Sequence, residues 1–443
     1  MRKKIMYAAL GAVMVWTLGG CQKAPEVKEE QNSTAQPQTE ALTEPESVET
    51  TDGKKITITW LNHMQEEGKK AWVEFVVQKF EEENPNIKVN VETVGADSYV
   101  TVLQTKIASD DAPAVFDLYT NEDVVMYQES GYLYDLVEIE NVKNVDEQLL
   151  TSGQVDGGQF GIPMETSGYG VFYNKDIFEK YGMSEPGTLS ELYQICENLQ
   201  AEGIQPFAAP MGEQWALALY ARTVNDLISV QKDKEWYVKK ARLDSSFKGD
   251  DDFKKAMEIY FSFKPYWGDD PFGTSWDNAQ DMIATGKSAM LIHGSWAVDG
   301  ILSKNPDCNI GVFPMPVSDN TADAKMIKEP GTMLVCYKSD DPNVLKASAE
   351  LFNTIFSMES QKKYAEEAKQ IPAVAGEYNM LEPLKLIMDY PEDQSFVESG
   401  VQKFTNEYED IFYETISAAS MNDTLNADSL CDELDKQFSV LIK

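Results

Sequence analysis

The chain has 443 residues, 42% hydrophobic and 25% charged, the balance of a globular protein of two or three domains. That composition excludes a fully disordered chain and a polytopic membrane protein. Its 74 Asp and Glu against 38 Lys and Arg leave a formal net charge of -36, which repels nucleic acid phosphates and anionic lipid head groups.

The N-terminus reads as a processing signal. Arg2, Lys3 and Lys4 precede a mostly apolar stretch, Met6 to Leu18, of signal-peptide length and too short to span a bilayer comfortably. It ends in Leu18-Gly19-Gly20-Cys21, which resembles a bacterial lipobox. Residues 1–20 are therefore expected to be a lipoprotein signal peptide, with Cys21 carrying the lipid (palmitate) anchor. The alternative is an ordinary secretory signal with an incidental Cys. Residues 21–53 are rich in Glu, Gln, Thr, Ser and Pro and hold no aromatic residue. Such a stretch buries too little surface to offset its ordering entropy, so a disordered acidic tether is expected. The remaining body holds 33 Lys and Arg against 66 Asp and Glu, so the acidity belongs to the folded part.

The body opens as βαβαβ. Ile56, Ile58 and Trp60 alternate with Lys55, Thr57 and Thr59, a strand period. Trp72, Val76 and Phe80 follow at helical spacing. Ile87, Val89 and Val91 alternate again, Tyr99, Leu103 and Ile107 return to the helical period, and Val115 to Leu118 is a third apolar run. Strands separated by helices predict a parallel sheet with right-handed crossovers, and ligands of such sheets lie at the carboxyl ends of the strands. The loops Leu61 to Gln65 and Tyr119 to Asp123 hold those ends.

Farther along, Thr188-Leu189-Ser190-Glu191 is a capping box, with Leu192, Ile195 and Leu199 on one helix face and Gly203 as the stop. A helix near Asn278 to Thr285 ends at Gly286. Ser288 to His293 reads as a strand turning through Gly294-Ser295-Trp296 into another helix. Asn309 to Phe313 is a strand closed by Pro314-Met315-Pro316. Helices are predicted around Val344 to Phe356 and from Ala427 on.

Several segments, in order, resemble the extracellular solute-binding proteins of family 1, sugar-binding components of ABC importers. They are the strand ending in Trp60 with the helix ending Phe80 to Asn84; Ala112 to Asp117; Tyr173-Asn174-Lys175-Asp176-Ile177-Phe178; Gly286-Lys287-Ser288-Ala289-Met290 with Gly294-Ser295-Trp296; and Ser357 to Gln361 with Ile371-Pro372. Two places depart from the family pattern. Pro113-Ala114 stands for Pro-Asp, and Pro330-Gly331 for Gly-Gly. The resemblance implies an α/β, two-lobed periplasmic-binding-protein-like fold (type II), with discontinuous lobes joined by hinge crossings. The crossings are expected near Gly161 to Pro163, Phe313 to Pro316 and Ser357 to Gln370. Lobe 1 is then 54–162 and 314–360, and lobe 2 is 163–313 and 361–443. The implied function is capture of a neutral mono- or oligosaccharide between the lobes, by a lipid-anchored monomer that delivers it to the transmembrane permease subunits of an ABC importer. No cofactor, metal or nucleic acid is implied.

The other chemistries are thinly supported. Gly286-Lys287-Ser288 lacks the earlier Gly of a Walker loop, since position 281 is Asp281, and it follows a helix. The only two His, His63 and His293, form no HExxH, and no GxSxG or zinc-type Cys/His spacing occurs. Cys196, Cys308, Cys336 and Cys431 are far apart and read as buried thiols, although one bridge stays open. Abundant carboxylates keep a secreted glycoside-acting enzyme as an alternative. A third reading is the same fold around a polyamine or peptide. Only three Arg occur, at Arg2, Arg222 and Arg242, so bidentate clamps for anionic ligands are scarce.

A sugar presents apolar C–H faces edged by hydroxyls, so aromatic rings and polar side chains are the groups to seek. The resemblance puts a stacking aromatic in the turn of Trp296, a contact loop at Trp215, and a sugar-binding carboxylate at Glu165; the alternatives are a core role for either tryptophan and a solvated loop for Glu165. Asn62, Gln65, Asn121 and Glu122 are the polar groups of the two strand-end loops. Trp276 is read as core ahead of an amphipathic helix, and Tyr408, Phe412 and Tyr413 as mostly core at helical spacing.

Overall fold

The computed structural model describes residues 55–119, 121–397, 404, 406–422 and 425–441, and all of them belong to the compact unit Glu49–Lys443. The expected signal peptide, Cys21 and the tether lie outside the described residues.

The strands, in chain order, are β1 (Ile56–Asn62), β2 (Ile87–Thr93), β3 (Val115–Leu118), a small hairpin of β4 (Gln154–Val155) and β5 (Gly158–Gln159), β6 (Ile162–Pro163), β7 (Glu165–Asn174), β8 (Gln205–Phe207), β9 (Ser288–Gly294), β10 (Ile310–Phe313), β11 (Met326–Pro330), β12 (Met333–Cys336), β13 (Ile371–Pro372) and β14 (Ser395–Val397). Two main sheets result. The first runs β2-β1-β3-β12-β6, with β1 parallel to β2 and β3, and β12 antiparallel to β3. Its crossovers are the helices Glu67–Glu83 and Ala96–Ala108, as the periodicity predicts. Trp72, Val76 and Phe80 are fully buried and pack with Trp60, Leu351, Phe352 and Ile355. Apolar spacing of four residues therefore selects the face that meets the sheet.

The second sheet runs β14-β11-β7-β9-β8, and β10 and β13 also pair with β7. Nine of the ten residues of β7 are buried, and so are all seven of β9. Strands covered on both faces read as near-continuous apolar runs, as Ala289 to Ile292 does in β9, whereas β7 opens on Glu165-Thr166-Ser167 and carries its apolar residues only toward its end. The motif Tyr173 to Phe178 has a local cause. Asn174 caps the helix Lys175–Lys180 by accepting from the Ile177 amide at 3.2 Å, while the Phe178 ring packs 4.4 Å from Tyr173. The capping box forms at Thr188 and Glu191. Gly286 ends the helix Trp276–Ala284 at φ 73°, a conformation that suits glycine, immediately before β9. It is a helix stop and not a phosphate loop.

Sheet membership tracks the chain between the sheets. The chain passes from β6 to β7 at Met164, one residue past the Gly161 to Pro163 segment. The boundary expected at Pro314 meets a different arrangement. Pro314-Met315-Pro316 only ends β10, and the chain stays in the second sheet through β11, antiparallel to β7, before entering β12 of the first. A proline pair marks a strand end whether or not the chain then leaves the sheet. The helix Met358–Glu367 runs across the boundary expected at 360. It packs on Glu67–Glu83, and Trp72 Nε1 donates to the Ser360 carbonyl at 2.8 Å. The next strand, β13, pairs with β7. Cys196, Cys308, Cys336 and Cys431 are all buried and unpaired thiols.

Candidate functional site

Parallel strands β1 and β3 end side by side, in register Leu61↔Phe116, and one step farther stand Asn62 and Asp117. Both are fully buried. Asn62 Oδ1 accepts from the Met64 amide at 3.1 Å and from Thr93 Oγ1 at 3.0 Å, but its Nδ2 has no partner. Asp117 Oδ2 accepts from the His63 amide at 3.1 Å and meets His63 Nδ1 at 2.8 Å, but Oδ1 has no partner. The strand ends thus hold one unused donor and one unused acceptor. A buried unpaired polar group costs about 1–3 kcal/mol, so each is a position for a ligand or a water molecule.

Lys69, in the first turn of Glu67–Glu83, is 7% exposed. Burial disfavours its charge, yet Glu66, Glu165, Asp117 and Asp299 together hold its ammonium above the ordinary pKa. Glu165, at the first residue of β7, is also buried, and its Oε2 accepts from the Tyr364 hydroxyl. A Cβ added to Gly331 would fall 2.5 Å from Glu165 Cγ, so the glycine kept in Pro330-Gly331 makes room for this carboxylate. Asp299 belongs to the helix Ala297–Lys304 and takes Lys369 Nζ at 2.5 Å. Its Oδ2 stands 3.0 Å from where a Gly68 side chain would begin, so it reaches the start of Glu67–Glu83.

On the second sheet, Trp215, Trp276 and Trp296 are each partly exposed and surround His293 of β9, which is fully buried. The ring centroids of Trp276, Trp215 and Trp296 lie 4.2, 5.3 and 5.3 Å from the imidazole. Glu213 ties two of the tryptophans, accepting from Trp215 Nε1 at 2.9 Å and from the Trp276 amide at 2.8 Å. Trp296 is also met edge-on by Tyr169 at 5.4 Å. Behind it runs a buried charge network. The Tyr169 hydroxyl and Arg222 Nη2 both donate to Glu329, while Arg222 Nε donates to Asp226 Oδ2 at 3.1 Å and the Tyr237 hydroxyl to Asp226 Oδ1 at 2.6 Å. Burial opposes the charge of Arg222, but these two carboxylates keep it fully protonated. Glu409, partly buried on the helix Asn406–Met421, has its pKa pushed up to about 7 by burial, against the lowering effects of Tyr413 and Arg222 and with the help of Asp123. Asp123 belongs to the helix Asn121–Glu129 after β3, so a charge of the first sheet's side is felt at Glu409.

The structure therefore gathers Asn62 and Glu165 at one group, with Asp117, His63 and Lys69, and gathers Trp215 and Trp296 at the other. Asp299, three residues after Trp296, is among the charges around Lys69. Gln65 is exposed beside Gly95. The Asn121 amide donates to the Ser152 carbonyl, which commits it to the neighbouring loop. Glu122 is partly buried on the same helix. Sequence reasoning passed over Asp117 and Lys69, which sit inside a strand and a helix, and assigned Trp276 to the core. The available signal was the pair of adjacent strand ends, where Asp117 is the last polar residue before the watched loop. Phe412 is core, whereas Tyr408 and Tyr413 are partly buried. Among the described residues no group of three or more His, Cys, Asp or Glu could hold a metal ion, and no helix is long and apolar enough to cross a membrane.

The bacterial extracellular solute-binding protein family matches residues 65–362, more than half of the chain. The chain belongs to this family. It is 28% identical over 268 residues to the multiple sugar-binding protein of Streptococcus mutans, a match covering 59% of this chain and 62% of that protein. It is 27% identical over 210 residues to a probable sugar-binding periplasmic protein of Brucella melitensis, covering 46% and 48%. The matched stretches thus span less than two thirds of these relatives. Solved family structures share the fold across nearly their whole length. The solute-binding protein RafE in complex with raffinose superposes with a TM-score of 0.75 at 22% identity, covering 87% of this chain and 100% of that one. A chitin oligosaccharide binding protein gives 0.77 at 21%, covering 88% and 99%. The two sheets described above are accordingly the two lobes of a family solute-binding fold, and the family is one of binding proteins.

Proposed function

We propose that this chain is the solute-capturing component of an ABC importer, taking a neutral mono- or oligosaccharide between its lobes and delivering it to the permease. The observation that carries the reading is the pairing of two unlike walls. One lobe offers three partly exposed indoles on a buried imidazole, and the other offers an unpaired amide donor and an unpaired carboxylate acceptor at strand ends. A pyranose needs both, a flat apolar cover and partners for its hydroxyls. The names of the relatives support a sugar. Neutrality is supported by the arginines. Arg222 is held by Glu329 and Asp226, and Arg242 is exposed past the end of the helix Trp236–Ala241. In this reading lobe 1 comprises 55–163 and 333–367, lobe 2 comprises 165–330 and 371–441, and Asn62, Asp117, Lys69, Glu165, Trp215, Trp276 and Trp296 line the cleft. Asn121, Glu122 and Gln65 stand at its rim.

A melting-temperature screen against raffinose, stachyose, chitotetraose and xylotetraose tests the proposal. At least one sugar should raise the melting temperature and be recovered uncleaved. A cleaved sugar would turn the reading toward a glycoside-acting enzyme. A shift with putrescine or a peptide and with no sugar would overturn the substrate class. The anchor is a separate part of the proposal. Cys21, placed by the lipobox-like segment, carries the lipid that holds a monomer at the outer face of the cell membrane. Cys21→Ser should then leave the detergent phase in which the wild type partitions, and equal partition of the two would refute the anchor.

A further inference from the structure

His293 is a costly residue where it stands. It is fully buried on β9, neither ring nitrogen has a hydrogen-bond partner, and burial lowers its pKa to about 3. A neutral imidazole still carries one N–H donor and one bare acceptor, and both are left to aromatic neighbours. Those neighbours are the same three tryptophans. Trp276 lies across the imidazole at 4.2 Å and 35°, while Trp215 and Trp296 meet it at 90° and 87°, so the edge of one ring abuts the face of the other. These are favoured aromatic geometries, and an N–H directed at an indole face is a weak hydrogen bond. Three indoles brought in by separate segments, the start of the helix Gln214–Asn225, the start of Trp276–Ala284 and the turn after β9, thus converge on one five-membered ring. Trp296 is restrained on two further sides, by Tyr169 at 5.4 Å and by Gly294, where an added Cβ would fall 2.3 Å from the indole Cη2 and Cζ3.

We propose that His293 is a positioning residue for ligand recognition: the imidazole sets the planes of Trp215 and Trp296, and through them which face of a sugar ring the second lobe reads. This rests on the reading of that wall as part of the sugar site. The flat ring is the working part, held in place by packing on β9 and uncharged because it is sealed from water. Leu or Met would fill the space with no plane to align the indoles, and a six-membered ring would keep a plane at the expense of tighter packing.

The test uses the full chain as wild type, His293→Ala, His293→Phe, Trp296→Ala and Ile292→Ala. Ile292 is buried on the opposite face of the same strand and serves as a matched core truncation. Near-ultraviolet circular dichroism of the free protein reads the tryptophan arrangement without any ligand. Titration with whichever of raffinose, stachyose, chitotetraose and xylotetraose binds tightest reads recognition. His293→Ala should alter the near-ultraviolet tryptophan bands and weaken binding about tenfold, His293→Phe should recover most of both, and Ile292→Ala should lower the melting temperature with affinity and spectrum kept. A His293→Ala protein with wild-type signal and affinity, beside a Trp296→Ala protein that binds poorly, would overturn the proposal and leave the site standing. Trp296→Ala with wild-type affinity would overturn the reading of the site and the proposal with it. If none of the four sugars binds, the spectrum of His293→Ala alone decides whether the imidazole sets the wall.

Discussion

At the residue scale, the groups that matter most were legible in proportion to how local their chemistry is. Trp296 stands out in the sequence because a turn after a strand announces it. Glu165 does so because a proline precedes it by two residues. His293 does not, since its role comes from three tryptophans supplied by distant segments, and a lone His on an apolar strand reads as core. Asp117 has the same difficulty inside an apolar run. Glu409 could not have been singled out among so many carboxylates, because its shift comes from burial and from Asp123 of the other lobe. It carries a prediction for pH. Its folded pKa of about 7 lies above the ordinary glutamate value, so the folded state holds the extra proton. That contribution is complete below about pH 4.5 and is lost as pH rises through 7. His293 acts in the opposite sense. Its folded pKa of about 3 lies below the ordinary value, so its contribution is complete above about pH 6.5 and is lost as pH falls toward 3. Glu409→Gln should therefore gain melting temperature on the wild type as pH rises from 5 to 8, by roughly 1–3 °C at the upper end. Parallel melting curves across that range would show that Glu409 titrates normally.

At the element scale, period and caps did most of the work. The strand and helix of Ile56 to Phe80 follow from alternation giving way to a four-residue repeat, and Asn174, Thr188 and Ser357 each accept the amide that starts a helix. The family-like segments are largely of this kind. Tyr173 to Phe178 is a strand end with a cap, and Ser357 to Gln361 is another cap, with Gln361 Nε2 donating to the Ile355 carbonyl at 3.0 Å. They mark the fold more than the ligand. What local signals could not show is where an element goes next. Pro314 and Pro316 end β10, and the return of the chain as β11 alongside β7 is decided by long-range pairing that no short window contains. The same holds for the π-helical turn Asp226–Val230, which follows the helix Gln214–Asn225 at the buried Arg222 and Asp226 pair. Nothing in the sequence of that stretch announces it.

At the scale of the whole molecule, pattern and segment order pointed to two lobes, and the structure supplied the pairing of strands into the two sheets. Beyond the backbone pairing of Val145 with Val374, charged groups join the lobes. Asp299 reaches the start of Glu67–Glu83 and holds Lys369, Lys69 sits among carboxylates of both lobes, and the charge of Asp123 raises the pKa of Glu409. Crossings as short as Met164 and the residues between β11 and β12 can rotate while both cores stay intact, the usual basis of hinge closure around a ligand. A bound sugar that touches the strand ends of one lobe and the indoles of the other would favour the closed arrangement by its contacts to both, and a ligand shifts such an equilibrium only by that difference. The radius of gyration from small-angle X-ray scattering, with and without the sugar that most raises the melting temperature, tests this most directly. The account predicts a smaller radius with sugar bound, and the same contraction in a chain lacking residues 1–53. Saturating sugar that leaves the radius unchanged would contradict capture by closure between the lobes.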